Sequence, residues 1–142
     1  MSIRKNLRAW LLTQSSVTDL VGTRIHPVKR PGGEDDVLPC LVLVKTKARH
    51  GADLAAGNND NDHEFHVIAV AEKYSEADAI YEALAGSNGV LHGRYGLTMG
   101  SQSVTSTTIL DDFDHSEYDV LNSEECTYLI TIVVEISTGS GG

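Results

Sequence analysis

LPCLVLVK (38–45), TKARHGADLAAGNNDND (46–62), HEFHVIAVAEK (63–73) and YSEADAIYEALA (74–85) follow one another without a gap. They read as strand, polar loop, strand and capped helix. Leu38 to Lys45 is nearly continuous in apolar side chains (Leu38, Cys40, Leu41, Val42, Leu43, Val44), the mark of a strand covered on both faces and central in its sheet. Between Thr46 and Asp62 the apolar run gives way to Gly51, Gly57, Asn58, Asn59, Asp60 and Asn61, turn formers that cannot pack a core. The expectation is a long mobile loop, and connections of that length in compact domains are functional or unstructured. His63 to Lys73 alternates, with Phe65, Val67, Ala69 and Ala71 on one face and Glu64, His66, Ile68, Val70 and Glu72 on the other. The two strands form a hairpin. Ser75 then caps a helix whose first turn holds Glu76 and Asp78 at the positive end, whose buried stripe is Ala77, Ile80, Tyr81 and Leu84, and which stops at Gly86.

Upstream, Ile3, Leu7, Trp10 and Leu11 recur at helical spacing with Arg4, Lys5 and Arg8 between them, which predicts an amphipathic helix with Trp10 in the core. Ser16, followed by Asp19, heads a short second helix that Gly22 ends in a left-handed cap. Thr23 to Val28 is a brief edge strand, since Pro27 withdraws a backbone donor, and Arg30 to Asp36 is a loop. Downstream, Gly86 to Gly100 is rich in glycine and has no assignment. Val104 to Leu110 reads as a strand and Asp111 to Asp119 as an acidic turn. Cys126, Tyr128, Ile130, Ile132, Val134 and Ile136 alternate with Glu125, Thr127, Leu129, Thr131, Val133 and Glu135, so the last strand is half-covered, and 137–142 is a flexible tail. The sum is one α+β domain over 1–142, a mainly antiparallel sheet of about four to five strands with two to three helices packed on it.

With 142 residues, 41% of them hydrophobic, the chain is large enough to bury its own core. A formal net charge of -9 argues against a surface that grips nucleic acid phosphates or anionic lipid, both of which need clustered Lys and Arg. The apolar run Trp10 to Leu12 is too short for a signal sequence or a membrane span, which predicts a soluble, intracellular protein with no membrane partner. Cys40 and Cys126 lie in apolar strand-like runs and read as buried thiols.

Candidate chemistry is sparse. His63 and His66 are an odd offset apart on a strand, so their side chains leave opposite faces and cannot share an ion. Asp60, Asp62 and Glu64 start like a calcium loop, but Phe65 stands where that loop needs glycine and Ala71 where it needs a bidentate Glu. Asp111, Asp112, Asp114, His115 and Glu117 could hold a hard cation or act as acid and base, but they read first as a solvated turn, since no wall nearby in sequence would shift their pKa values. Ser87 and Ser101 lack the elbow of a nucleophilic serine, Cys40 sits mid-strand, and no phosphate-cradling glycine motif is present. The expectation is a protein without catalytic residues, cofactor or metal.

The opening helix, Val21-Gly22-Thr23-Arg24-Ile25-His26-Pro27, Leu38-Pro39-Cys40-Leu41-Val42-Leu43, and His66-Val67-Ile68-Ala69-Val70-Ala71 followed by Tyr74-Ser75-Glu76-Ala77-Asp78-Ala79-Ile80-Tyr81-Glu82-Ala83-Leu84 together resemble the tail terminator, or tail completion, family of long-tailed bacteriophages and their prophages. The resemblance runs from about Asn6 to Ala85 and returns in the last strand. It implies an α+β subunit that assembles in the host cytoplasm as a homo-hexameric ring on the end of the virion tail. Such a ring contacts the tail tube protein on one side and the head-neck connector on the other. DNA passes through without specific binding, so acids in the lumen would repel it, and Asp111, Asp112 and Asp114 are candidate lumen acids. Asp53, Asn58, Asn59, Asp60 and Asn61 are candidates for a loop that orders against the tube or a neighbouring subunit. The alternatives are another head-to-tail joining or tube component, and a host α+β module that binds a small ligand or peptide.

Overall fold

The computed structural model describes residues 3–27, 37–50, 61–100, 102–116 and 128–138, with the backbone alone for 47–50, 61 and 114–116. Among the described residues three helices, α1 (Ile3–Leu11), α2 (Ser15–Val21) and α3 (Tyr74–Ala85), accompany six strands: β1 (Ile25–Pro27), β2 (Cys40–His50), β3 (Asn61–Ala71), β4 (Tyr95–Met99), β5 (Gln102–Ser116) and β6 (Tyr128–Thr138). The strands form one sheet in the order β1-β2-β3-β6-β5-β4. Only β1 runs parallel to its neighbour; the other pairs are antiparallel. The α+β class is as expected. The sheet is one strand wider than expected and mixed, because β4 forms within the glycine-rich stretch left without assignment.

Alternation fixes which face each strand buries. Phe65, Val67, Ala69 and Ala71 of β3 stand opposite Val134, Ile132, Ile130 and Tyr128 of β6, and with Leu41 and Leu43 of β2 they build the main core. The helices close that core from the same side. α1 contributes Ile3, Leu7 and Leu11, α2 Val17 and Val21, and α3 Ala77, Ile80, Leu84 and Ala85. A fully buried Leu such as Leu7 or Leu84 stabilises the fold by about 1.5–3 kcal/mol. Trp10 is only half-buried. The fourth inward position of α1 is Asn6, 2% exposed, whose amide donates to Gln102 Oε1 on β5 at 3.2 Å.

That bond exposes the logic of α1. The helix packs on β1 and β2 at one side of the sheet and on β4 at the other, so the sheet curls and α1 bridges its two edges. α3 instead lies across the middle strands β3 and β6 and against α2. On the outer face Cys40, Val42 and Val70 form a smaller buried cluster, with Leu38, Val44, Ile68 and Leu129 packed against it. The two-sided burial of β2 is therefore as expected, whereas β6 is covered more fully than expected: Thr131 and Val133 on its outer face are also buried.

Several boundaries move. β2 continues to His50 and β3 begins at Asn61, the two ladders pairing His50 with Asn61 and Arg49 with Asp62. Both ends of the expected loop, 46–50 and 61–62, are therefore strand, and the remaining connection, 51–60, lies outside the described residues. Antiparallel pairing has overridden the turn preference of Asn61 and Asp62. β6 likewise runs through Ser137 and Thr138, which pair with Asp62 and Asn61; Thr138 is 1% exposed and is no tail. Cys126 lies outside the described residues. At the helix starts Gln14 and Lys73, not Ser16 and Ser75, take the capping position, without a side-chain cap. Gly22 ends α2 as expected and has a positive φ of 59°, but its ψ of -130° is not that of a left-handed helical cap.

The connector from α3 to β4 is held by polar contacts. Thr107, buried in β5, donates its hydroxyl to the Leu91 carbonyl at 2.8 Å and accepts from the Arg94 amide, while the Arg94 guanidinium reaches the carbonyls of Asn88 and Gly89.

Candidate functional site

The sequence-predicted residues do not converge on one spot. Asp53, Asn58, Asn59 and Asp60 lie outside the described residues, and Asn61 is a strand residue flanked by His50 and Thr138. Asp111, Asp112 and Asp114 are not in a turn. They belong to β5, paired with Val133, Ile132 and Ile130 of β6. Ile132 faces the main core and Val133 the outer face, so alternation sends Asp111 and Asp112 to opposite sides of the sheet. His63 and His66 separate as expected. His63 is buried at the end of β3, and His66 stands on the outer face with its ring edge-on to Phe113, centroids 6.4 Å apart. Among the described residues no three His, Cys, Asp or Glu side chains gather as a metal site.

What the fold does assemble lies beside α3. Tyr74, Asp78 and Tyr81 recur at i, i+4 and i+7 and so share one face of the helix, and β5 brings Asp112 up against that face. Together with Ile130 these residues line a cleft of about 220 Å³. Ile130, 3% exposed, makes an apolar floor. The Tyr74 ring, 48% exposed, is held edge-on to Tyr128 with centroids 6.0 Å apart. The Tyr81 hydroxyl donates to the Asp112 carboxylate at 3.0 Å. That bond, then burial, then the charges of Asp112, Glu82 and Asp78 raise the Tyr81 pKa above its ordinary 10.0, so the phenol stays protonated through the neutral range. Asp78 makes no hydrogen bond or ion pair among the described residues. Phenol walls, an apolar floor and two carboxylates can hold a positive charge carried on an alkyl stem.

The fold itself has a precedent. The chain is similar to a chain of the virion of a native gene transfer agent particle, over 94% of this chain and 95% of that one, with a TM-score of 0.63 and 15% sequence identity. At that identity the likeness is one of fold. No family model matches the chain, and no curated protein matches it either.

Sequence reasoning missed this cleft for a traceable reason. Tyr81 reads as part of the buried stripe of α3, and Asp112 as a turn acid. The signal was the polar-aromatic stripe Tyr74, Asp78 and Tyr81, which sits at helical spacing beside the apolar stripe Ala77, Ile80 and Leu84.

Proposed function

We propose that this chain is a structural subunit of a phage-type virion, a tail terminator or completion protein that caps the tail tube as a ring and forms the joint to the head-neck connector. The observation that carries the reading is the two-way coverage with the gene transfer agent virion chain, 94% and 95%: whole domain answers to whole domain. The tail-terminator resemblance in 6–85 supplies the finer role. A non-catalytic role is part of this reading, and in the cleft the Tyr81 hydroxyl is tied to the Asp112 carboxylate. The cleft, about 220 Å³, is smaller than the roughly 300–1,000 Å³ of small-molecule sites.

The splitting of Asp111 from Asp112 across the sheet changes the lumen idea. At most one of the two can line a channel, so repulsion of DNA would rest on the acidity of a whole face. The reading is tested by complementation. Tails made by a phage or prophage lacking the gene should carry tubes of unregulated length that fail to join heads, and added full-length chain should restore joining. Tails of normal length that join heads without the chain would sink it.

A further inference from the structure

We infer that the cleft formed by Tyr74, Asp78, Tyr81, Asp112 and Ile130 receives the basic first turn of α1, Lys5 foremost, from a second copy of this chain. The inference rests on the ring reading above and names the contact that would close the ring. The two helices carry opposite and unmixed charge. α1 has Arg4, Lys5 and Arg8 and no acid; α3 has Glu76, Asp78 and Glu82 and no base. They rest on different strands, α1 on β1, β2 and β4, α3 on β3 and β6, so each presents its charge on a separate part of the surface. Two unlike, complementary patches on one chain are what a head-to-tail contact needs, and such contacts close into rings when the rotation allows.

The cations of the chain differ in what they are free to do. Arg8 donates to the Ile25 carbonyl at 2.7 Å, Arg24 to that of Pro39 at 2.8 Å, and Arg94 to those of Asn88 and Gly89. Lys5 is exposed and makes no hydrogen bond or ion pair among the described residues. The cleft is its counterpart in shape as well as charge. A volume of about 220 Å³ suits one long side chain, the Ile130 floor suits its methylenes, and the Asp78 carboxylate and the Tyr74 face suit its ammonium.

Zero-length carbodiimide coupling of full-length chain, mixed as equal parts of ordinary and 15N-labelled protein over a range of concentrations, tests the contact. The expected products are mixed-isotope peptides joining Lys5 to Asp78 or Asp112. Their yield should fall with added salt, and multimers measured by native mass spectrometry without coupling should fall at least about tenfold in Lys5→Glu, where like charges would oppose each other. Asp78→Asn with Asp112→Asn keeps the shape of the cleft and an acceptor for Tyr81, so a loss of multimers there is not a loss of folding. The exchange pair Lys5→Glu with Asp78→Lys should recover the multimers that either single change loses. Multimers joined through other residues, or unchanged in the Asn pair, would overturn this contact and leave the ring reading standing. Absence of multimers in solution and on tail tubes alike would overturn both.

Discussion

α1 and α3 bury the same kind of stripe on the same side of the sheet, yet they hold different parts of it. α1 spans from β1 and β2 to β4 and so fixes the curl; α3 covers the middle strands. Inward they are interchangeable in chemistry, Ile3, Leu7 and Leu11 against Ala77, Ile80 and Leu84. Outward they are opposites in charge. The difference teaches that the core demands only apolar volume from each helix. The solvent faces are then free to diverge, and that divergence gives the molecule a direction.

The strongest way to break the comparison is to cut each stripe. Leu7→Ala and Leu84→Ala should each cost about 2–5 kcal/mol in denaturant unfolding, since both side chains are fully buried. If Leu7→Ala costs under about 1 kcal/mol, α1 is an appendage and does not hold the sheet edges. Next in size is the seam between α1 and the β4–β5 connection. Gly96 and Gly100 both have left-handed φ, 63° and 62°, so an alanine at either should cost about 1–2 kcal/mol. At Gly96 a Cβ meets open space, whereas at Gly100 it would strike the Asn6 side chain. Gly100→Ala should therefore cost a further 1–3 kcal/mol, approximately, as overpacking. Equal losses at the two glycines would mean that α1 does not press on this seam.

The smallest effect sharpens the acidic side. Tyr81→Phe removes one hydrogen bond to Asp112 and should cost less than about 1 kcal/mol at neutral pH. Its pH dependence has a definite sign. The folded pKa of Tyr81 lies above the ordinary 10.0, so the contribution is complete below pH 10 and disappears as pH rises through the folded value. Ultraviolet titration of the phenols should show a late-ionising tyrosine that is missing in Tyr81→Phe and moves down in Asp112→Asn. A titration unchanged by either substitution would remove the Tyr81–Asp112 bond from the account.

Much of this architecture was legible wherever apolar periodicity was strong: the β2 and β3 faces, the α3 stripe, β6 and the edge position of β1. Legibility failed where long-range pairing overrules local preference. Asp111 to Ser116 has the composition of a turn and Thr46 to His50 lacks an apolar pattern, but their backbone groups are satisfied by ladders to β6 and β3, partners that no local window contains. β4 was hidden by Gly93, Gly96 and Gly100, whose positive φ values shape its ends and its course. Trp10 is less buried than expected, and Asn6, for which no role was expected, is buried because α1 meets the β4–β5 seam, a contact between residues 6 and 102. The cleft was legible only by half. Tyr74, Asp78 and Tyr81 share a face by spacing alone, while the position of Asp112 required β5.

The central claim is that copies of this chain form a ring at one end of a tail tube. Cryo-electron microscopy of tails incubated with the full-length chain tests it most directly. The account predicts one closed ring of copies at a single end of each tube. Bare tube ends with the chain left free in solution, or copies spread along the tube wall, would contradict it.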